Sequence, residues 1–247
     1  MNLFIDESIH VDYGFMVIAY VLCEENPQDE LNVILEKYCV PEFHACAKME
    51  NNDLMQNLRA EFVSFVNSRC NWGILILPKS NRPNLQHDIE FMLGCLVKDV
   101  CKSPTDIFID EGMINVSQTQ SMRSIKNINS VTIGSSCVYK GIQLADLVAA
   151  FNGIRLKERI SNKPKMLTYG ESYGYTPPIE AELGQFELWA TLRYSILHQS
   201  TPMGDNMPEM AMFPTIGYGL LISPNCSPEL AKKAEEEFGV VYLGCIH

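Results

Sequence analysis

Phe4-Ile5-Asp6-Glu7-Ser8 is written a second time in this chain as Phe108-Ile109-Asp110-Glu111-Gly112. Each copy is a short apolar run, Leu3 to Ile5 and Ile107 to Ile109, that stops on a carboxylate pair. Runs of this kind, rich in Ile and Phe, read as buried strands. An ionised Asp closing a buried strand is costly unless something cationic compensates it. Two such strands lying side by side bring Asp6 and Asp110 together, where like charges repel. A divalent cation with oxygen ligands, magnesium or manganese, is the simplest remedy. For either copy alone, the competing reading is an Asp that starts a turn or caps a helix; the repetition favours paired strands.

The 247 residues suffice for one large domain or a core with an appendage. Apolar content of 47% and charged content of 20% are ordinary for a globular protein. No run approaches the length of a membrane helix, and charges from Asp6 onward argue against a signal peptide. The nine cysteines are odd in number and scattered, mostly in apolar stretches, which fits reduced core thiols in a cytoplasm. A net charge of −11 argues against a broad electrostatic grip on nucleic acid. It leaves room for a nuclease that relies on metal and a small cationic patch.

Hydrophobic periodicity predicts strands at 2–6, 13–23, 72–77, 106–110 and about 130–133. Helices are predicted at 27–38, 52–68, 85–101 and 141–157, with a shorter polar one at 117–126. A β-rich start followed by alternating helices and strands reads as α/β. The part after about Lys163 differs, being punctuated by Pro177, Pro178, Pro202, Pro208 and Pro214. There we expect a helix at 179–198, a Met-rich loop (Met203, Met207, Met210, Met212) and a closing strand–helix–strand at 216–222, 228–237 and 239–245. The division that follows is a core at 1–160 and a C-terminal α+β extension at 161–247.

A third carboxylate stands out. In Gly141-Ile142-Gln143-Leu144-Ala145-Asp146-Leu147-Val148-Ala149-Ala150, Asp146 interrupts an otherwise apolar helix. Gln143, Ala149, Ala150 and Gly153 share its face at helical spacing. Small residues around one carboxylate let a helix approach a sheet closely and aim that carboxylate at the strand ends. The competing reading pairs Asp146 with Arg155 or Lys157 on a solvated face, which the apolar flanks oppose.

Four motifs in this order, FIDES at 4–8, Glu42-Phe43-His44-Ala45, FIDEG at 108–112 and Gln143-Leu144-Ala145-Asp146-Leu147-Val148-Ala149, resemble the domain-of-unknown-function 3800 family. The resemblance covers residues 2–157. It implies an RNase H-like mixed sheet flanked by helices. In that fold, acidic residues of the first strand, the fourth strand and a late helix surround one or two divalent ions. Asp6, Asp110 and Asp146 take those positions in order. Candidates for a fourth carboxylate are Glu7, Glu42, Asp88, Glu90 and Glu111. Glu42 ranks first after Glu7; Glu7 follows Asp6 directly and joins only if its strand ends there. His44, in a family-like motif, is a candidate proton shuttle or phosphate contact.

Other chemistries are weaker. Cys39, His44 and Cys46 lack a standard zinc spacing and a fourth ligand. His44 and Cys46 are too close in sequence for a mutually oriented nucleophilic pair, and neither a phosphate-cradling glycine loop nor a dinucleotide fingerprint is present. The expectation is a metal-dependent phosphodiesterase using Mg2+ or Mn2+ on nucleic acid, without a membrane partner. The alternatives are a non-catalytic RNase H-like module that binds a partner in a mobile-element or defence system, and a hydrolase of a small phosphorylated molecule.

Overall fold

The structure, a computed structural model, describes residues 1–45, 52–170, 175–184, 189–203 and 212–244. Cys46, Met207 and Met210, singled out above, lie outside the described residues. The chain runs β1 (Asn2–His10), β2 (Phe15–Cys23), α1 (Gln28–Lys37), α2 (Asp53–Arg69), β3 (Cys70–Pro78), α3 (Leu85–Asp99), β4 (Thr105–Asp110), β5 (Ile128–Gly134) and α4 (Gly141–Ser161). It continues through β6 (Met166–Tyr169), β7 (Ile179–Glu182), α5 (Ala190–Leu192), β8 (Met212–Pro214), β9 (Leu220–Ile222), α6 (Pro228–Phe238) and β10 (Val240–Tyr242).

Six strands form one mixed sheet in the order β5-β4-β1-β2-β3-β9. β1, β2 and β3 are an antiparallel meander, while β4 lies parallel to β1 and β5 parallel to β4. This is the expected α/β arrangement of a mixed sheet flanked by helices. The two FID segments lie side by side in register, Phe4 opposite Phe108 and Ile5 opposite Ile109. Alternation then sorts their side chains. Phe4 and Phe108 stack on one face with centroids 5.0 Å apart, and Ile5 and Ile109 are fully buried on the other.

Both faces are covered, which explains why β2, one of the two central strands, is buried at every position. One face carries α1, α2 and α4 over Phe4, Val17, Ala19, Trp72 and Ile74. The other carries α3 over Leu3, Ile5, Met16, Ile18 and Leu75. Gly141 lets the start of α4 press onto β1: a Cβ added there would stand 2.4 Å from the Phe4 ring.

Three expectations need correction. Residues 179–198 are not one helix. Ile179–Glu182 is a strand paired with Met166–Tyr169, followed by the short helix Ala190–Leu192. Residues 117–126 form two 3-10 turns, Val116–Thr119 and Met122–Ser124, rather than a helix. And β1 does not stop at Asp6 but continues to His10, paired with β2 throughout. In the C-terminal segment, β9 joins the central sheet beside β3, and α6 packs on α4, where Arg155 pairs with Glu237. No helix among the described residues is long and apolar enough to cross a membrane.

Candidate functional site

Because Phe4 and Phe108 face α4, the residues two positions on, Asp6 and Asp110, face it too. Asp146 reaches the same place from α4, which packs across β1 and β2. The fold therefore brings together the three carboxylates singled out in the sequence. Burial, then Asp146, then Asp110 push the Asp6 carboxyl up to about 9, against the pull of the Glu7 backbone N–H. Asp146 is also raised, chiefly by burial and further by Asp110 and Glu42, while the Ala45 N–H and His44 oppose the rise. Arg155 does not neutralise Asp146, being committed to Glu237. Among the described residues, no lysine or arginine is ion-paired with any of the three.

Each carboxylate has a backbone donor instead. The N–H of Glu7 donates to Asp6 Oδ1 at 2.7 Å, that of Gly112 to Asp110 Oδ2 at 3.3 Å, and that of Ala45 to Asp146 Oδ2 at 2.9 Å. These bonds hold the three in place despite their repulsion. Among the described residues, no three His, Cys, Asp or Glu side chains already stand in metal-binding geometry. The donor set is nevertheless of the kind a hard divalent cation takes: oxygen only, anionic, partly buried and short of positive charge.

The Glu42–Ala45 segment is racked against α4 and the turn before it. Lys140 Nζ donates to the Pro41 carbonyl at 2.8 Å, the Phe43 N–H to Gln143 Oε1 at 2.9 Å, and the Ala45 N–H to Asp146. Fully buried Phe43 stacks on Phe62, which anchors the segment to α2. Glu42 accepts from Ser136 Oγ and from Cys137 Sγ (2.9 Å), and lies 3.0 Å from His44 Nε2. Burial works to raise the Glu42 carboxyl, but the Cys137, Ser136 and His44 contacts outweigh it and hold it below its usual range. His44 is exposed, so its imidazole faces solvent beside Asp146 while Glu42 orients it.

The other proposed carboxylates stand elsewhere. Since β1 continues, Glu7 projects to the opposite face, where its Oε1 lies 2.7 Å from the Arg82 guanidinium. Burial nonetheless raises its carboxyl, more than Arg82 lowers it. Asp88 is buried on α3, accepting from Asn81 and from Ser223 Oγ. Glu90, also on α3, accepts from Gln86 and Ser121. Glu111 is exposed in the turn after β4. Sequence reasoning missed Lys140, Ser136, Cys137 and Arg82, and saw Gln143 only as a neighbour of Asp146 on the helix. An amide in an apolar helix face was a usable signal, because buried polar groups need partners.

No family model matches the chain, and no curated protein matches it. Among solved structures, a chain in the complex of PCNA with RNase HII from Archaeoglobus fulgidus is similar, with a TM-score of 0.41 and 19% sequence identity over 66% of this chain and 76% of that one.

Proposed function

We propose that this chain is a divalent-metal-dependent phosphodiesterase acting on nucleic acid. The observation that carries the reading is the gathering of Asp6, Asp110 and Asp146 from three distant segments onto one face of the sheet. Such a cluster costs the fold stability unless a cation is bound. The resemblance of the four motifs to the domain-of-unknown-function 3800 family supports the same reading.

Asp6, Asp110 and Asp146 would hold Mg2+ or Mn2+. The bound ion would activate water and neutralise charge on the phosphate. Glu42 holds Nε2 of the His44 imidazole at the exposed rim, which leaves Nδ1 as the ring nitrogen that can hold a proton for the leaving oxygen. Gln143 and Lys140 hold the segment carrying both residues against α4.

The test is cleavage of labelled DNA and RNA oligonucleotides with manganese, at low salt to favour binding by an acidic protein. Asp6→Asn and Asp110→Asn should abolish turnover and leave the fold intact. If parent and both variants give the same background on every substrate, the reading is wrong.

A second reading has its own support. The missing ready-made metal geometry among the described residues, with the net charge of −11, favours a non-catalytic RNase H-like module that binds a protein partner. Undiminished cellular function in both Asp variants would select it.

A further inference from the structure

Glu7 follows Asp6 in the strand yet points to the opposite face of the sheet, so its carboxylate cannot share a ligand position with Asp6 while β1 stays regular. There it meets Arg82, in the 3-10 segment Lys79–Asn84 that links β3 to α3. The same guanidinium makes two further bonds: Nη1 donates to the Met113 carbonyl at 3.0 Å and Nη2 to the Gly112 carbonyl at 2.8 Å. Those carbonyls belong to the turn that ends β4, the turn that also closes on Asp110. Its Gly112 N–H donates to the Asp110 carboxylate and its Met113 N–H to the Asp110 carbonyl at 3.1 Å.

The pair is a poor device for stability. Glu7 Oε2 is buried with no hydrogen-bond partner, and a partly exposed ion pair that leaves one oxygen unsatisfied is weak support for a fold. What it does supply is direction. Arg82 is planar and forked, so fixing one edge on Glu7 fixes where its other N–H groups point. Beyond Asp110 the chain leaves the sheet, and Glu111 and Gly112 are exposed, so strand pairing ceases to hold the turn there.

We propose that Glu7 and Arg82 form a positioning clamp, through the Gly112 and Met113 carbonyls, that sets the Asp110 carboxylate for metal from the far face of the sheet. The inference rests on Asp110 being a ligand, as in the proposed function. Glu7 acts through Arg82 and is not itself a ligand.

The test uses the full chain and the variants Glu7→Gln, Arg82→Gln, the double variant and Arg82→Lys, with folding checked by circular dichroism. The first readout is hydrogen exchange of peptides covering residues 108–114 in metal-free protein. Both single variants should exchange about tenfold faster there, α4 should be unchanged, and the double variant should be no looser than either single. Arg82→Lys, which keeps one charge but not the fork, should fall between. The second readout is Mn2+ affinity by calorimetry, where Glu7→Gln and Arg82→Gln should each lose on the order of 10- to 100-fold, as outer-shell partners do, and the double variant no more.

Unchanged exchange in both singles overturns the clamp. Loss of Mn2+ affinity in Glu7→Gln with none in Arg82→Gln overturns it as well, because Glu7 would then be a ligand. If the turn loosens in the variants while the parent takes up no Mn2+, the clamp on the turn stands and the metal reading of the site falls.

Discussion

The backbone N–H of Phe43 donates to Gln143 Oε1, and the same amide returns a bond from Nε2 to the Ser136 carbonyl, both at 2.9 Å. One buried side chain thus ties the segment bearing Glu42 and His44 to the turn that bonds Glu42, one helical turn before Asp146. Gln143 holds no proton in the proposed chemistry; it sets the distance between the groups that do.

Gln143→Leu should therefore strand two backbone groups that the helix buries. The cost is about 1–3 kcal/mol for each unsatisfied group. Urea unfolding should show a lower midpoint at an unchanged slope. Turnover should fall by about as much as in His44→Ala, and the two substitutions together should add little, since both remove the oriented imidazole. Fully additive effects would mean that Gln143 does not act through this segment.

His44→Ala should lower kcat about a hundredfold with manganese saturating, the usual worth of one positioned acid–base group. Asp6→Asn should be far more damaging. Equal losses in the two variants would make His44 part of the metal site and not an assistant to proton transfer.

The raised Asp6 carboxyl has a pH signature in chelator. Its folded value of about 9 lies above the ordinary value of 3.8, so between these limits the folded state binds the extra proton. Stability from this group is complete below about pH 4 and is lost as pH rises toward 9, the reverse of a salt-bridged Asp. Asp6→Asn should match the parent near pH 4.5 and melt several degrees higher at pH 8. Millimolar manganese should remove the parent's deficit at pH 8, because an ion that binds only the folded state stabilises it by mass action. A flat parent profile in chelator would show that neither burial nor the neighbouring carboxylates raise the Asp6 carboxyl in the folded protein.

Gly141→Ala probes how closely α4 must approach β1. The new Cβ would stand 2.4 Å from the Phe4 ring, which stacks on Phe108 and cannot easily retreat. Overpacking of this kind costs about 1–3 kcal/mol. Differential scanning calorimetry should register a lower midpoint, and Phe4→Leu should restore part of it. A wild-type midpoint for the single variant would mean that the helix shifts without cost.

Where structure is set by local pattern, the sequence was legible. The repeated FID segments do pair in register, and Gly141, Ala145 and Asp146 do lie on a helix against them. Residues 179–182 were not legible, because Glu180, Ala181 and Glu182 are poor strand formers that pairing with Met166–Tyr169 recruits regardless. The end of β1 was misjudged because charges at Asp6 and Glu7 look like a stop, whereas Arg82 on one face and α4 on the other make room for both. For the site, Asp6, Asp110 and Asp146 stand out in the chain as candidates by their placement alone. Their supports do not, because Gln143, Lys140 and Arg82 meet partners far away in sequence, across contacts that only the tertiary fold creates.

β9 lies along β3, with Leu220, Leu221 and Ile222 opposite Ile74, Leu75 and Ile76. Without it, β3 would offer open amide and carbonyl groups along a stretch of fully buried hydrophobic residues, the kind of edge on which other chains assemble. On the ribosome, every residue through Ile76 emerges long before Leu220 is made, so the nascent chain must wait with that edge exposed. A fragment ending near residue 160 would carry every proposed site residue and keep the exposed edge permanently, and should be lost to inclusion bodies when expressed without its C-terminal segment.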